Sequence, residues 1–286
     1  MTHAPGGHSP HDHQQNNDHQ HNDAWLLEVL ELDASLLGPQ LAAMTAWVQE
    51  HSGGGVRSIV DVGAGLGSGT LALAEQFPAA EVQAVDRSAA MLARVRDAAA
   101  ERGLGERVAT VQADLDLGWP PLSGVDLVWA ASSLHEVADP ARAFGEIFAA
   151  LRHGGLLAVV ELADLPWFLP DDVGLGDPGL EQRAHRVLGE LGWNRQLEWE
   201  RLLVQSGFEL EQKAAFSAGA QHDAGAARHY AATYLRRIRP VLQQGLSAAD
   251  LGALDAILAG ADPGRLLHDG DLEVRVDRVA WAARRP

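Results

Sequence analysis

Glycine at every second position after an acid carries most of the chemistry this chain announces. Ser58-Ile59-Val60-Asp61-Val62-Gly63-Ala64-Gly65-Leu66-Gly67-Ser68-Gly69-Thr70 joins a β-branched apolar run to backbone stripped of side chains. The pattern predicts a buried strand, a tight turn and a helix, with a ligand lying close to bare backbone. A second apolar run, Glu81-Val82-Gln83-Ala84-Val85-Asp86, ends in an acid roughly 20 residues beyond the glycines, where a carboxylate accepts from ribose hydroxyls in nucleotide-binding α/β units. Asp86 can accept both hydroxyls of a ribose. The dinucleotide fingerprint needs G-x-G-x-x-G/A, but frames begun at Gly63 or Gly65 place Ser68 or Thr70 at the last small position. A nicotinamide oxidoreductase is therefore disfavoured.

Further strands follow at regular distances. Arg107 to Leu115 predicts a third strand closing on Asp114, and Val125 to Ala130 a fourth, which runs into Ala131-Ser132-Ser133-Leu134-His135-Glu136-Val137. Apolar residues at 144, 147, 148 and 151 predict a helix, with Gly154-Gly155 as its stop and a fifth strand through Glu161.

With acid-x-Gly-x-Gly-x-Gly followed by these motifs in this order, the chain resembles the class I S-adenosylmethionine-dependent methyltransferases. The resemblance covers residues from about 57 to 161. It implies an α/β fold: a Rossmann-like, doubly wound, seven-stranded and mostly parallel sheet, here with an added helical cap. It implies S-adenosyl-L-methionine as cofactor, with Asp114 near the adenine amino group and the segment after the fourth strand beside the methionine end. The cofactor-binding set carried over is Asp61, Gly63, Gly65, Gly67, Asp86, Arg87, Met91, Asp114, Leu115 and Ala130.

The cofactor's own chemistry explains several of these residue types. Backbone N–H groups in the Gly63 to Gly69 turn, with the positive end of the next helix, suit its carboxylate. Asp61 is placed either to orient the loop or to face the ammonium. Met91 and Leu115 are apolar plates for the adenine. Methyl transfer is an in-line displacement, so alignment and a dry site matter most, and a general base is needed only where the nucleophile carries a proton. His135 is the candidate base, because it follows the fourth strand at the carboxyl edge and imidazole titrates near neutrality. Glu136 and Glu161 sit at the same strand ends as substrate contacts or partners of the glycine turn.

The elements that must position these groups divide the chain. Residues 1–23 hold six of the 13 histidines in a polar context, predicting a disordered tail whose His-x-His pairs bind metal loosely at most. No metal site is expected in the folded part. Residues 24–56 predict one or two helices, 57–165 the cofactor-binding core, and 166–286 the rest of the core with a helical lid at about 166–206 and 222–262 and a final strand at Asp271 to Trp281. Within the lid, Ala226 to Arg239 reads as a helix broken by Pro240. Ser247 and Asp250 read as a capping box, and Trp167, Arg183, His185, Trp193 and Tyr230 as pocket candidates. The second role weighed for this helical region is a homodimer interface.

Composition narrows the function. With 22 basic and 39 acidic residues, net −17, a broad phosphate-binding surface is unexpected, so nucleic acid is disfavoured as substrate. The absence of cysteine excludes thiol nucleophiles and cysteine metal sites. No apolar run is long enough to span a membrane, and a cytoplasmic location is expected. The function expected is methyl transfer to an oxygen or nitrogen of a small organic molecule. The alternative is a non-catalytic S-adenosylmethionine-binding sensor or scaffold.

Overall fold

The computed structural model of the chain describes residues 25, 27–193, 197–218, 224–259 and 272–286. The polar histidine tail, and with it the loose metal site, lies outside the described residues, as do parts of the cap. Among the described residues no helix is long and apolar enough to cross a membrane.

Five apolar runs form parallel strands; in four of them nearly every central residue is buried on both faces, while the edge run at 108–112 buries only Val108. They are β1 (Ser58–Val62), β2 (Glu81–Asp86), β3 (Val108–Gln112), β4 (Val125–Ala131) and β5 (Leu151–Leu162). With β6 (Glu209–Ser217) and β7 (Asp277–Arg284) they build a seven-stranded sheet in the order β3-β2-β1-β4-β5-β7-β6. Only β7 runs antiparallel to its neighbours, β5 and β6. The order reverses between β1 and β4, so the carboxyl ends of those strands flank the crevice where ligands bind in open α/β sheets.

Helices α1 (27–36), α2 (Gly38–His51), α3 (Ser68–Gln76), α4 (Ala89–Glu101) and α5 (Pro140–Ala150) accompany the first five strands. One core cluster lies on each face of the sheet, around Ile59, Leu73 and Trp129 on one side and Val60, Phe144 and Leu157 on the other. A third cluster belongs to the cap. It is built by α6 (Leu180–Glu190), α8 (Ala224–Leu242), α9 (Ala248–Ala259) and the loop after β5, around Phe168, Leu188, Ile238 and Leu254.

Several expectations are corrected. Gly154 and Gly155 do not stop a helix: α5 ends at Ala150, Leu151 is already extended (φ −66°, ψ 146°), and both glycines lie inside β5. There the β4–β5 register shifts, and a Cβ on Gly155 would stand 2.9 Å from Arg152 O and 3.1 Å from Val125 O, so the glycines serve a strand irregularity. Pro240 does not break its helix, which continues to Leu242. Burial of Ile238 and Leu242 holds the final turn against the missing N–H. The last strand begins at Asp277, not Asp271. The segment before it contributes an isolated bridge, Trp167 to Arg275. Because β7 is an interior strand, Ala280, Trp281, Ala282 and Ala283 are all buried, and the small residues that fit between two packed layers replace the alternation of a half-exposed strand. β3 ends at Gln112, two residues short of Asp114. Helix α7 (Trp199–Gln205) was not foreseen in the sequence.

Candidate functional site

The glycine turn leaves β1 at the crevice. Gly63, Gly65 and Gly67 adopt φ of 69°, 52° and 84°, the left-handed region that side chains avoid. Space excludes them too: a Cβ on Gly63 would stand 2.3 Å from Ser133 Cβ, and one on Gly67 2.9 Å from Val95 Cγ2. The turn's own hydrogen bonds revise one expectation. Gly63 and Ala64 N–H both donate to Val85 O (2.8 and 3.0 Å), Gly67 N–H donates to Ala64 O (2.8 Å), and Gly65 N–H donates to Asp86 Oδ2 (2.9 Å). These four donors bind the turn to β2 and to itself rather than facing a ligand.

Asp86 is half-buried at the end of β2. Its other oxygen, Oδ1, accepts from Ser88 N–H at 2.8 Å, and each carboxylate oxygen keeps a lone pair for a hydroxyl. Asp61 points inward: it is 3% exposed and accepts the Thr70 hydroxyl at 2.5 Å. Burial raises its pKa to about 7, against a lowering by Thr70 and with a smaller push from Asp86. Through Oδ2 and Thr70, Asp61 thus braces the turn from below.

The other expected contacts are spread along the same edge. Met91 lies in the first turn of α4, nearly buried, its N–H on the Ser88 hydroxyl cap at 3.3 Å. Leu115 is partly buried against the Val62 cluster. Asp114 accepts Asp116 N–H at 2.9 Å, and Asp116 in turn accepts Ala138 N–H at 2.9 Å, tying the loop after β3 to the segment after β4. Arg87 is exposed beyond β2, and its charge helps hold the Glu136 carboxyl below its usual range, after the larger effect of His135. Ala130 is fully buried inside β4, paired with Val62 and Val159, so its side chain offers the site no surface.

Beyond β4 the chain turns sharply. Ser132 has φ +50°, the only positive value among described non-glycine residues, and strain of this kind gathers at functional sites. Ser133 Oγ donates to Val62 O at 2.7 Å, which locks this segment over the glycine turn. His135 Nδ1 lies 2.9 Å from Glu161 Oε2 and its Nε2 3.4 Å from Glu136 Oε1. The two carboxylates, Glu136 first and then Glu161, raise the imidazole pKa to about 10. At neutral pH the ring carries its proton and lacks the lone pair a general base needs. The pairing does not favour His135 as base, and its geometry suits holding Glu161.

Helix α1 covers this edge. A Cβ on Gly65 would lie 3.5 Å from Leu30 Cδ1, so Leu30 sits over the glycine turn. Glu31 pairs with Arg94 of α4 (2.7 Å), Glu28 with His229 of α8 (2.9 Å), and Asp33 accepts the Tyr230 hydroxyl at 2.5 Å and Arg278 at 3.0 Å. One helix thus spans from core to cap.

The pocket candidates divide. Trp167 and His185 meet edge to face with centroids 4.2 Å apart, and Tyr230 packs on Phe168 at 5.1 Å. Arg183 instead binds Asp250 (2.7 Å) and thereby joins α6 to α9. This takes the Asp250 carboxylate away from a full capping box, although Asp250 N–H still donates to Ser247 Oγ at 3.1 Å. Trp193 packs partly buried in the cap. Glu181 was missed: it is 4% exposed and accepts Phe168 N–H (3.0 Å) and Leu169 N–H (2.7 Å), pinning the loop after β5 to α6. An acid one position into a predicted helix was its only signal.

Residues 59–155 match a family described as a methyltransferase domain. A trans-aconitate 2-methyltransferase from Acidovorax sp. (strain JS42) is 37% identical over 145 residues, 49% of this chain and 48% of that protein. The chain matches about half the length of such curated relatives. Among solved structures, a putative methyltransferase from Bacillus halodurans C-125 superposes with TM-score 0.53 at 19% identity, covering 85% of this chain and 98% of that one. The [4+2]-cyclase SpnF superposes with TM-score 0.50 at 22% identity, over 86% and 81%. At these identities the structural likenesses establish the fold alone. The span that matches the methyltransferase-domain family, residues 59–155, holds the glycine turn and runs from β1 into β5 of this sheet.

Proposed function

We propose that the chain transfers the sulfonium methyl of S-adenosyl-L-methionine to an oxygen or nitrogen of a small organic molecule, as a cytoplasmic enzyme that does not act on nucleic acid. The observation that carries this reading is the Gly65–Asp86 bond at 2.9 Å, which sets a carboxylate with free lone pairs against a turn that has no room for side chains. The crowding is at Gly63 and Gly67, and positive φ at these two and at Gly65 leaves bare backbone that fits beside a nucleoside ribose. Met91 supplies an apolar wall for adenine, and Asp114 and Leu115 stand at the next strand end. The similarity to trans-aconitate 2-methyltransferases supports the reaction class.

When bound, the cofactor supplies an electrophilic methyl on a positively charged sulfur. The chain's own residues align and dry the site. Ser133 fixes the post-β4 segment to Val62, Asp61 and Thr70 brace the turn from beneath, and Leu30 on α1 shields it from water. In such displacements alignment supplies a large share of the rate enhancement. His135, protonated, holds Glu161 in place rather than removing a proton. We read the α6, α8 and α9 cap as the lid on the acceptor side, supported by its own core cluster and its attachment to α1.

Calorimetry with S-adenosylmethionine, S-adenosylhomocysteine and NAD tests the reading. Micromolar binding of both adenosyl ligands and none of NAD is expected, followed by formation of S-adenosylhomocysteine when acceptors are supplied. NAD binding in their place refutes it. Adenosyl binding with no turnover on any acceptor would favour the sensor or scaffold alternative.

A further inference from the structure

Two buried oxygens at the carboxyl edge have no partner among the described residues, and they belong to residues next in register across β4 and β5. The parallel β4–β5 register pairs Ala130 with Val159 and Ala131 with Val160. Ser132 N–H then donates to Val160 O at 2.8 Å. Ser132 and Glu161 are therefore next in register, one position past the last β4–β5 pair. Glu161 is 5% exposed; its Oε2 is taken by His135, while its Oε1 is buried without a hydrogen bond. Ser132 Oγ is likewise buried and unpartnered, on the residue whose φ of +50° is strained. An ionised carboxylate oxygen without a donor in a low-dielectric site is costly, and such orphans in native folds call for a specific explanation.

Resting on the methyltransferase reading above, we propose that Glu161 Oε1 and Ser132 Oγ form the hydrogen-bonding end of the methyl-acceptor subsite. They select a neutral or cationic acceptor that presents an O–H or N–H donor, and they reject polycarboxylates. Three observations lead there. Both atoms sit at the β4–β5 strand ends, one strand beyond the glycine turn and on the side away from Asp86 and Met91, which leaves the cofactor's expected place free. His135, 40% exposed at its side chain while that of Glu161 is 7% exposed, is the outer member of the pair, so turning the imidazole aside uncovers the carboxylate. The surrounding edge is acidic: Asp86, Asp114, Asp116 and Glu136 share it, and of the nearby arginines Arg142 is already bound to Glu146 and Leu115 O. Arg87 is the exposed guanidinium at this edge and acts on Glu136, while a second carboxylate placed directly against Glu161 would meet the like charge of Glu161 and Glu136. Trans-aconitate, a tricarboxylate, is the opposite of what this edge accommodates, even though relatives carry its name.

The test compares two acceptor classes on the full chain with S-adenosylmethionine, reading S-adenosylhomocysteine formed. One class is phenols, alcohols and primary amines; the other is trans-aconitate, citrate and succinate. Cofactor affinity is measured first by calorimetry on wild type, Glu161→Gln and Ser132→Ala. The expected result is turnover of a donor-bearing acceptor and kcat/KM on polycarboxylates lower by about a hundredfold or more, as for sites built around a specific hydrogen bond. Glu161→Gln should cut that ratio between classes by about tenfold or more, with cofactor affinity unchanged. A ratio within one sample is insensitive to partial misfolding, and Ser132→Ala, which removes only a hydroxyl, should shift it in the same direction. Preference for polycarboxylates, an unchanged ratio in both variants, or no turnover of any donor-bearing acceptor by cofactor-loaded protein each overturns the proposal. Loss of cofactor binding in Glu161→Gln assigns the residue to the cofactor instead and overturns it as well. Failure of wild type to bind S-adenosylmethionine brings down the methyltransferase reading itself, and this inference with it.

Discussion

Gly65 N–H donates to Asp86 Oδ2 at 2.9 Å, so the glycine turn and the acid that closes β2 are one hydrogen-bonded unit. The carboxylate that suits a ribose also shapes the backbone beside it. Its second oxygen caps Ser88 N–H at 2.8 Å, at the entry to α4.

Asp86→Ala therefore has two expected effects. S-adenosylmethionine should bind at least about tenfold more weakly, roughly 1.4 kcal/mol. Stability in urea should fall by about 1–3 kcal/mol, because two partly buried N–H groups lose a charged acceptor. Calorimetry and denaturation on one preparation separate the two. A loss of affinity with no loss of stability would contradict the structural half of this account.

At Gly63, conformation and space are separable. Gly63→Ala combines φ of 69° with a 2.3 Å approach to Ser133 Cβ and is expected to cost about 2 kcal/mol or more. Adding Ser133→Gly removes the clash but not the strained φ, so the double variant should regain only part of the loss. Thermal melts of the two single variants and the double variant measure this.

His135 should remain protonated well above neutrality. Its pKa, raised to about 10 from an ordinary 6.5 by Glu136 and Glu161, means the folded state holds a proton that the unfolded state releases between those values. The contribution to stability is fully present below about pH 6.5 and is lost as pH rises toward 10. An NMR titration of the imidazole checks the first statement, and denaturation at pH 6, 8 and 10 against His135→Gln checks the second. A ring titrating near 6.5 would restore His135 as a candidate base.

Asp61 gives a second pH signature with a lower window. Its carboxyl, 3% exposed, is raised to about 7 from 3.8, chiefly by burial. The folded state holds this proton more tightly, so stability contributed by the neutral form is present below pH 3.8 and is lost by pH 7. Asp61→Asn keeps an acceptor for Thr70 without the buried charge. At pH 8 it should be more stable than wild type, and the slope of stability with pH between 4 and 7 should flatten.

Glu181→Ala should loosen the loop after β5. The carboxylate accepts Phe168 and Leu169 N–H inside the cap, and leaving both unsatisfied should cost about 2 kcal/mol or more. Hydrogen exchange should rise first at 168–169 and leave β1 and β4 protected. Uniform exchange across the chain would show that the residue supports the whole fold instead.

The core was legible because local patterns and tertiary environment agree there. Ile59, Val60, Val82, Val85, Leu127 and Val128 sit in strands buried on both faces, so continuous apolar runs with acids at their ends read directly as parallel strands and ligand edge. The glycine spacing carried the turn because φ and crowding both forbid a side chain at Gly63 and Gly67. Tertiary structure alone decided the rest. Whether Asp61 faces inward or outward, whether His135 is a base or an imidazolium between Glu136 and Glu161, and where Arg183 finds its partner depend on groups 9, 26 and 67 residues away in sequence. Protonation and pairing are set by burial and by the field of distant neighbours, which no local spacing encodes. Likewise β7 and Pro240 were misread because packing between layers outweighs local propensity once Trp281, Ile238 and Leu242 are buried.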